Sequence, residues 1–253
     1  MFNEKFAMGS SWVHDLDPRL KIIMAILLAV ITAVGNNILM LLQIFFLACF
    51  FLVSAKLDLK QVLKRLLVIN TFIFFMWLFI PFTYPGDSLF QIGPLSASWA
   101  GIIYATKITI RSNTIMIAVI SLLSTSTISS LMHAMKCLYV PEKLIYLFFF
   151  VYRYLYVISD EFNSLHNSMK VRGFKPETSL HCYKNYAYLV GMLIIKSYER
   201  SIRVYRAMLA RGFKGKIYIN DEFKVIPRDI VIFACTLACL SWFVILEQGI
   251  ILM

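Results

Sequence analysis

From Ile22 to Ala55 the chain carries no charged side chain, and Gly35-Asn36-Asn37 is the turn signal that divides this stretch into two apolar segments. One compact water-soluble core cannot easily hide successive runs of this kind, so lipid is their natural solvent. The composition agrees. Of the 253 residues, 60% are hydrophobic and 15% charged, against roughly 45–50% and about 25% in soluble domains. That excludes disorder and argues against a water-soluble globule. The net charge of +11, from 25 Lys and Arg against 14 Asp and Glu, reads first as positive loops held on the cytoplasmic side of a membrane. Nucleic-acid binding is the weaker reading. Cys49, Cys137, Cys182, Cys235 and Cys239 form no CxxC pair, and are expected to be free thiols. The first nineteen residues hold no apolar run ending at a small-residue cleavage site, so no cleavable signal peptide is expected.

Five spans follow from the hydrophobic pattern. Asp17-Pro18-Arg19-Leu20-Lys21 starts the first, with Asp17 as helix cap and Pro18 in the first turn, and the helix runs to about Val34. It is short for a bilayer unless Arg19 and Lys21 snorkel. The second covers about 38–55, and the basic cluster Lys56, Lys60, Lys64 and Arg65 after it marks a cytoplasmic loop. The third runs from about Leu66 to Phe82. Thr83-Tyr84-Pro85-Gly86-Asp87 and Gly93-Pro94 then form a turn-rich loop without Lys or Arg, expected to face outward. The fourth covers about 101–123 and the fifth about 230–246. This gives an all-α polytopic membrane protein with a cytoplasmic N-terminus and three regions: four spans in 1–124, a cytoplasmic coupling region in 125–228, and the last span in 229–253.

The stretch from about Ser124 to Arg228 holds sixteen of the 25 basic side chains. Residues 144–158 look like another span, but they are few, contain Arg153, and lead without a turn into Ser159-Asp160-Glu161. The expectation is one helix over 141–172, about 48 Å long, apolar in its first half and polar in its second. Residues 183–212 repeat that design. Each helix ends in the same letters, Arg172-Gly173-Phe174-Lys175 and Arg211-Gly212-Phe213-Lys214. Glycine just past a helix takes the left-handed conformation that satisfies the last carbonyls, and arginine suits the negative end of the dipole. Two well-made caps would explain the glycines; recurrence of the whole motif points instead to equivalent docking on two copies of a partner, with a forked guanidinium and an aromatic anchor at each end.

His14-Asp15-Leu16-Asp17-Pro18-Arg19-Leu20-Lys21, Ser124-Thr125-Ser126-Thr127 before the Pro141-Glu142 helix, and the two Arg-Gly endings resemble the transmembrane (T) component of energy-coupling factor transporters. The segment 197–213 is similar to the CbiQ group associated with cobalt and nickel uptake. The resemblance covers nearly the whole chain. In that family Ala-Arg-Gly motifs end the coupling helices and dock on two ABC-type ATPase subunits. Ala210-Arg211-Gly212 matches fully, whereas the first copy is Val171-Arg172-Gly173. The resemblance implies ATPase-coupling roles for Val171, Arg172, Gly173, Phe174, Ala210, Arg211, Gly212 and Phe213, with no catalytic residue in this chain. It also implies a membrane-embedded substrate-binding (S) component, CbiM- or NikM-like, that holds the metal, and Mg-ATP on the ATPases. Consistently, no GxxxxGKS/T loop is present.

Lys107 and Arg111 lie one turn apart in the fourth span and are candidates for a polar contact within the membrane, by structural pairing or by contact with the S component. His14, His133, His166 and His181 are scattered and no spacing gathers metal ligands, so no metal site is assigned. Cys235 and Cys239 are read as packing residues. The aromatics of 146–156 suit a surface clasped by membrane helices better than a nucleic-acid platform. A T component serving vitamin-binding S components, an intramembrane enzyme built on His14, Asp15 and Asp17, and an autonomous channel lined by Asn70 and Thr71 are the competing readings.

Overall fold

The computed structural model of the chain describes residues 9, 11–83, 85, 88–92, 95–215 and 227–251. The described residues form helices α1 (Trp12–Asp15), α2 (Pro18–Val34), α3 (Ile38–Ser54), α4 (Leu59–Thr83), α5 (Trp99–Leu123), α6 (Ile128–Cys137), α7 (Glu142–Val171), α8 (Leu180–Ala210) and α9 (Pro227–Ile251). A short antiparallel pair, β1 (Ser88–Ile92) and β2 (Leu95–Ser98), joins α4 to α5 and carries a register shift between Ser88 and Phe90. The chain divides into two compact units. One contains the described part of 139–221; the other contains those of 2–138 and 222–253.

The larger unit is a helical membrane bundle. Its caps are local: the Arg19 amide donates to Asp17 Oδ1 at 2.9 Å, Leu39 to Asn37 Oδ1 at 3.1 Å, and Gly101 to Ser98 Oγ at 3.0 Å. These side chains satisfy amides that the first helical turn leaves without partners. Helix α5 packs against α2, α3 and α4, and α9 packs on α2 and α3. Met24, Leu28, Ile44, Phe51, Ile117 and Leu122 form the centre of the core. Buried Ala25, Ala48 and Ala118 let backbones approach closely, which is how helices gain contact where lipid removes the hydrophobic drive to associate. Gly101 does the same at the end of α4: a β-carbon there would lie 2.9 Å from the Pro81 Cα.

Helix α4 shows the lipid face. Phe72, Phe74, Phe75 and Leu78 are more than half exposed, an apolar surface that water would not tolerate. Both α4 and α5 are long and apolar enough to cross a membrane. Helices α2 and α3 have 17 residues each, about 26 Å at the usual rise. Polar groups within the bundle are used internally. Asn113 Nδ2 donates to Asn70 Oδ1 at 3.0 Å and Trp77 Nε1 to Thr109 Oγ1 at 2.9 Å, while the Thr71 hydroxyl bonds back to the Leu67 carbonyl at 2.8 Å. Asn70 and Thr71 therefore serve helix pairing and back-bonding.

Several boundaries differ from the sequence reading. Helix α4 begins at Leu59, so Lys60, Lys64 and Arg65 stand on its first turns and not in a loop; lysine and arginine are good helix formers, and their exposed heads can snorkel. Helix α6 occupies part of the link between the fourth span and the first long helix, where the sequence reading places no element. The turn-rich stretch contains β1 and β2, whereas Tyr84, Gly86, Asp87, Gly93 and Pro94 of the expected turns lie outside the described residues. Helix α8 starts at Leu180 because Ser179 caps it, Cys182 N–H donating to Ser179 Oγ at 3.2 Å.

Candidate functional site

The smaller unit is built from α7 and α8, of 30 and 31 residues. Their apolar and charged positions recur at helical spacing, so each helix keeps one face for its partner and leaves another outward. Along α7, Leu144, Leu147, Val151, Leu155, Ile158 and Phe162 form an exposed stripe. Inside the pair, the Glu161 carboxylate receives Lys196 Nζ and, at 3.3 Å, Arg200 Nη2. The hydrogen bond from Lys196, with the charges of Lys196 and Arg200, holds the Glu161 carboxyl below its ordinary value of 4.5 despite opposing desolvation. A lowered folded-state pKa contributes stability above the ordinary value and loses it as pH falls through the lowered one. The melting-temperature advantage of wild type over Glu161→Gln is thus expected to be constant from pH 7 to about pH 5 and to shrink below the ordinary carboxylate value. A difference that is flat down to pH 3 would contradict this.

Toward the end of α7 a stack locks the chain direction. Phe162 and His166 rings lie 5.8 Å apart and nearly parallel, His166 and Tyr186 are 6.2 Å apart, and Phe174 meets Tyr186 edge-on at 5.4 Å. Such arrangements suit the aromatic quadrupole.

The two helix ends share one backbone design. Gly173 has φ +83° and Gly212 φ +80°. Gly173 N–H donates to Lys170 O at 3.0 Å and Phe174 N–H to Met169 O at 3.1 Å; Gly212 N–H donates to Leu209 O at 2.9 Å and Phe213 N–H to Met208 O at 3.0 Å. Both are Schellman caps, in which a left-handed glycine closes the helix and the residue after it makes an apolar contact back to the last turn. That contact explains the recurring phenylalanines. Phe174 is half-buried and lines a cavity of about 750 Å³ with Met169, Leu189 and Met192. Phe213 is half-buried in an apolar cavity of about 350 Å³ with Phe150, Tyr154, Val204 and Met208. The sequence signal for this was a longer repeat, Met-x-x-Arg-Gly-Phe-Lys at 169–175 and 208–214, whose methionine sits where the cap requires an apolar partner.

With both phenylalanines turned inward, Val171, Arg172 and Gly173 at one end and Ala210, Arg211 and Gly212 at the other are exposed. Among the described residues, neither the Arg172 nor the Arg211 guanidinium has an ion-pair partner. Each is a forked cation with free donors at a rigid tip.

The other candidates fall elsewhere. Arg111 Nη2 donates to the Gly35 carbonyl at 2.6 Å, tying α5 to the α2–α3 turn. Lys107 is half-buried on the same helix. The five cysteines are free thiols, and among the described residues no three His, Cys, Asp or Glu side chains are grouped to hold a metal ion. Sequence reasoning missed Lys21 as a buried residue: its Nζ donates to His14 O at 3.1 Å and Ser126 Oγ at 2.9 Å, and the residue is fully buried.

Comparison with known proteins gives this geometry a context. Residues 9–220 match the CbiQ family model, described as cobalt transport protein. An uncharacterized protein of Methanocaldococcus jannaschii is 27% identical, over 99% of this chain and 88% of that protein. The energy-coupling factor transporter transmembrane protein EcfT of Ruminiclostridium cellulolyticum is 24% identical over 96% of each chain. Its counterpart in Bacillus subtilis is 27% identical over 83% of this chain and 84% of that one. With the family match spanning most of its length, the chain belongs to the CbiQ family of energy-coupling factor transmembrane (T) components.

Proposed function

We propose that this chain transmits ATP-driven motion of two ABC-type ATPase subunits to a CbiM- or NikM-like substrate-binding component in cobalt or nickel uptake. The observation that carries the proposal is the pair of matching exposed tips, Arg172-Gly173 and Arg211-Gly212, each stiffened by the same cap. Arg172 and Arg211 enter acidic grooves on the two ATPases, with Val171 and Ala210 packing beside them. Mg-ATP is held by those subunits, and this chain supplies no cofactor site and no catalytic group. The regions 1–124 and 229–253 anchor the protein in the cell membrane with its N-terminus in the cytoplasm, and 125–228 couples. Closure of the ATPases draws the tips together, and α7 and α8 carry that motion to the substrate-binding component, which meets the exposed apolar stripe of α7. Lys107 and Arg111 contribute polar contacts near the opposite membrane surface. The family's description as cobalt transport proteins supports the substrate class. In an uptake assay with the assembled transporter, excess unlabelled cobalt or nickel is expected to suppress labelled metal entry at least tenfold, and vitamins to leave it unchanged. Uptake of a vitamin in place of metal would transfer the chain to vitamin-binding S components.

A further inference from the structure

The cavity of about 350 Å³ behind Phe213 is lined only by α7, α8 and the cap that follows α8. Phe150 and Tyr154, whose rings stack at 6.3 Å, form one wall, and Val204 and Met208 face it from α8. Almost all of the exposed wall is apolar. Helices packed to ordinary interior density leave few voids larger than a water molecule, whereas this one reaches the size range of small-molecule sites, about 300 to 1,000 Å³. Water fills such a space poorly, because an ordered water needs two to four polar partners. The void calls for an apolar occupant.

The rim and the one charge define that occupant. Ile158, 42% exposed, belongs both to the cavity and to the exposed stripe of α7, so apolar surface continues from the stripe into the chamber. Arg200 is the one charged residue among those lining it. Its Nη2 meets Glu161 Oε2 at 3.3 Å, while the other oxygen of that carboxylate holds Lys196 Nζ. Glu161 is thus shared between two cations, and the remaining guanidinium N–H groups of Arg200 have no acceptor among the described residues. A guanidinium with spare donors suits phosphate oxygens. We propose that the cavity takes one acyl chain of an anionic phospholipid, with the lipid phosphate received by Arg200. A choline headgroup would bring a cation beside Arg200 and Lys196, which favours a lipid with net negative charge. The site rests on the reading of α7 as a membrane-facing helix and is independent of what the two tips dock on.

The test places the full chain in phosphatidylcholine nanodiscs with a small fraction of phosphatidylglycerol that carries a photoactivatable diazirine in its acyl chain. Adducts are located by peptide mass spectrometry and referred to those at lipid-exposed Phe72 and Phe75 of α4 in the same sample. Labelling of 150–158 and 197–208 is expected to saturate as label is added, while that of α4 rises in proportion. Relative to α4, it should fall at least about tenfold under excess unlabelled phosphatidylglycerol and stay unchanged under added phosphatidylcholine. Arg200→Gln is expected to lower the saturable labelling about tenfold or more, the effect of losing one charge-assisted hydrogen bond. Val204→Phe, which fills the cavity, should lower it roughly tenfold, as displacing two methylenes would. Glu161→Gln breaks the same ion pair but leaves Arg200 its charge, and should retain the labelling. Equal losses in Arg200→Gln and Glu161→Gln would make Arg200 a structural strut and overturn the proposal. Independently of any variant, it is overturned if wild-type labelling of α7 and α8 rises in proportion like that of α4, if phosphatidylcholine competes as well as phosphatidylglycerol, or if palmitate displaces the label and phosphatidylglycerol does not.

Discussion

Exchanging Arg172 and Arg211 together for glutamate is expected to reduce ATP-dependent uptake to the background of cells lacking the chain, with normal amounts of protein in the membrane. Removing one member of a buried charge pair at an interface costs roughly 2 to 5 kcal/mol, about 30-fold to several thousand-fold in affinity, and charge reversal adds repulsion from the acidic groove proposed on each ATPase. Both side chains are exposed in the chain itself, and a glutamate at a helix C-terminus costs only about 0.3 to 1 kcal/mol through the dipole. Folding should therefore survive. The two single variants should each weaken co-purification of the ATPases, and lysine at either position should fall between, because it keeps the charge without the fork. The decisive measurement is the ratio of ATPase to this chain after mild-detergent purification. A double variant that retains the full complement of ATPase would remove the tips from the docking interface.

The second large effect belongs to Lys21. Its side chain is fully buried and bridges His14 and Ser126, partners 7 and 105 residues away in sequence. Asp15, Asp229 and Asp17 all act on its charge. Lys21→Ala leaves a cavity and uncompensated buried carboxylates, a change that costs roughly 3 to 5 kcal/mol in comparable sites. A fall in melting temperature on the order of 10 °C is expected for a chain of this size. Adding Asp229→Asn to Lys21→Ala should recover part of the loss, since the two sites share one electrostatic neighbourhood. A single variant melting within a degree or two of wild type would show that the ammonium is dispensable to the bundle.

What the sequence made legible was whatever is encoded locally. Asp17-Pro18 and Gly35-Asn36-Asn37 place the ends of α2 because capping and chain reversal need only neighbouring residues. The two Arg-Gly ends were visible for the same reason. The start of α4 is hidden in the sequence because charge density resembles a loop signal, although Lys60, Lys64 and Arg65 stand comfortably on an exposed helical surface. In the sequence the phenylalanines look like outward anchors; their role in the caps depends on the cavities behind them, and only three-dimensional packing creates those. The Lys21 site was beyond reach for a stronger reason. Its partners come from three separate stretches of chain, so no window of sequence contains it.

The glycine stops also fix a measure. An α-helix advances about 1.5 Å and turns about 100° with each residue, and Gly173 and Gly212 forbid either rod from winding further. Deleting or inserting a single residue upstream would swing the terminal guanidinium to a different compass bearing while barely altering its reach. A change in the length of these segments restores the bearing only in steps close to a whole turn, so angular phase, more than span, is what the two stops hold constant.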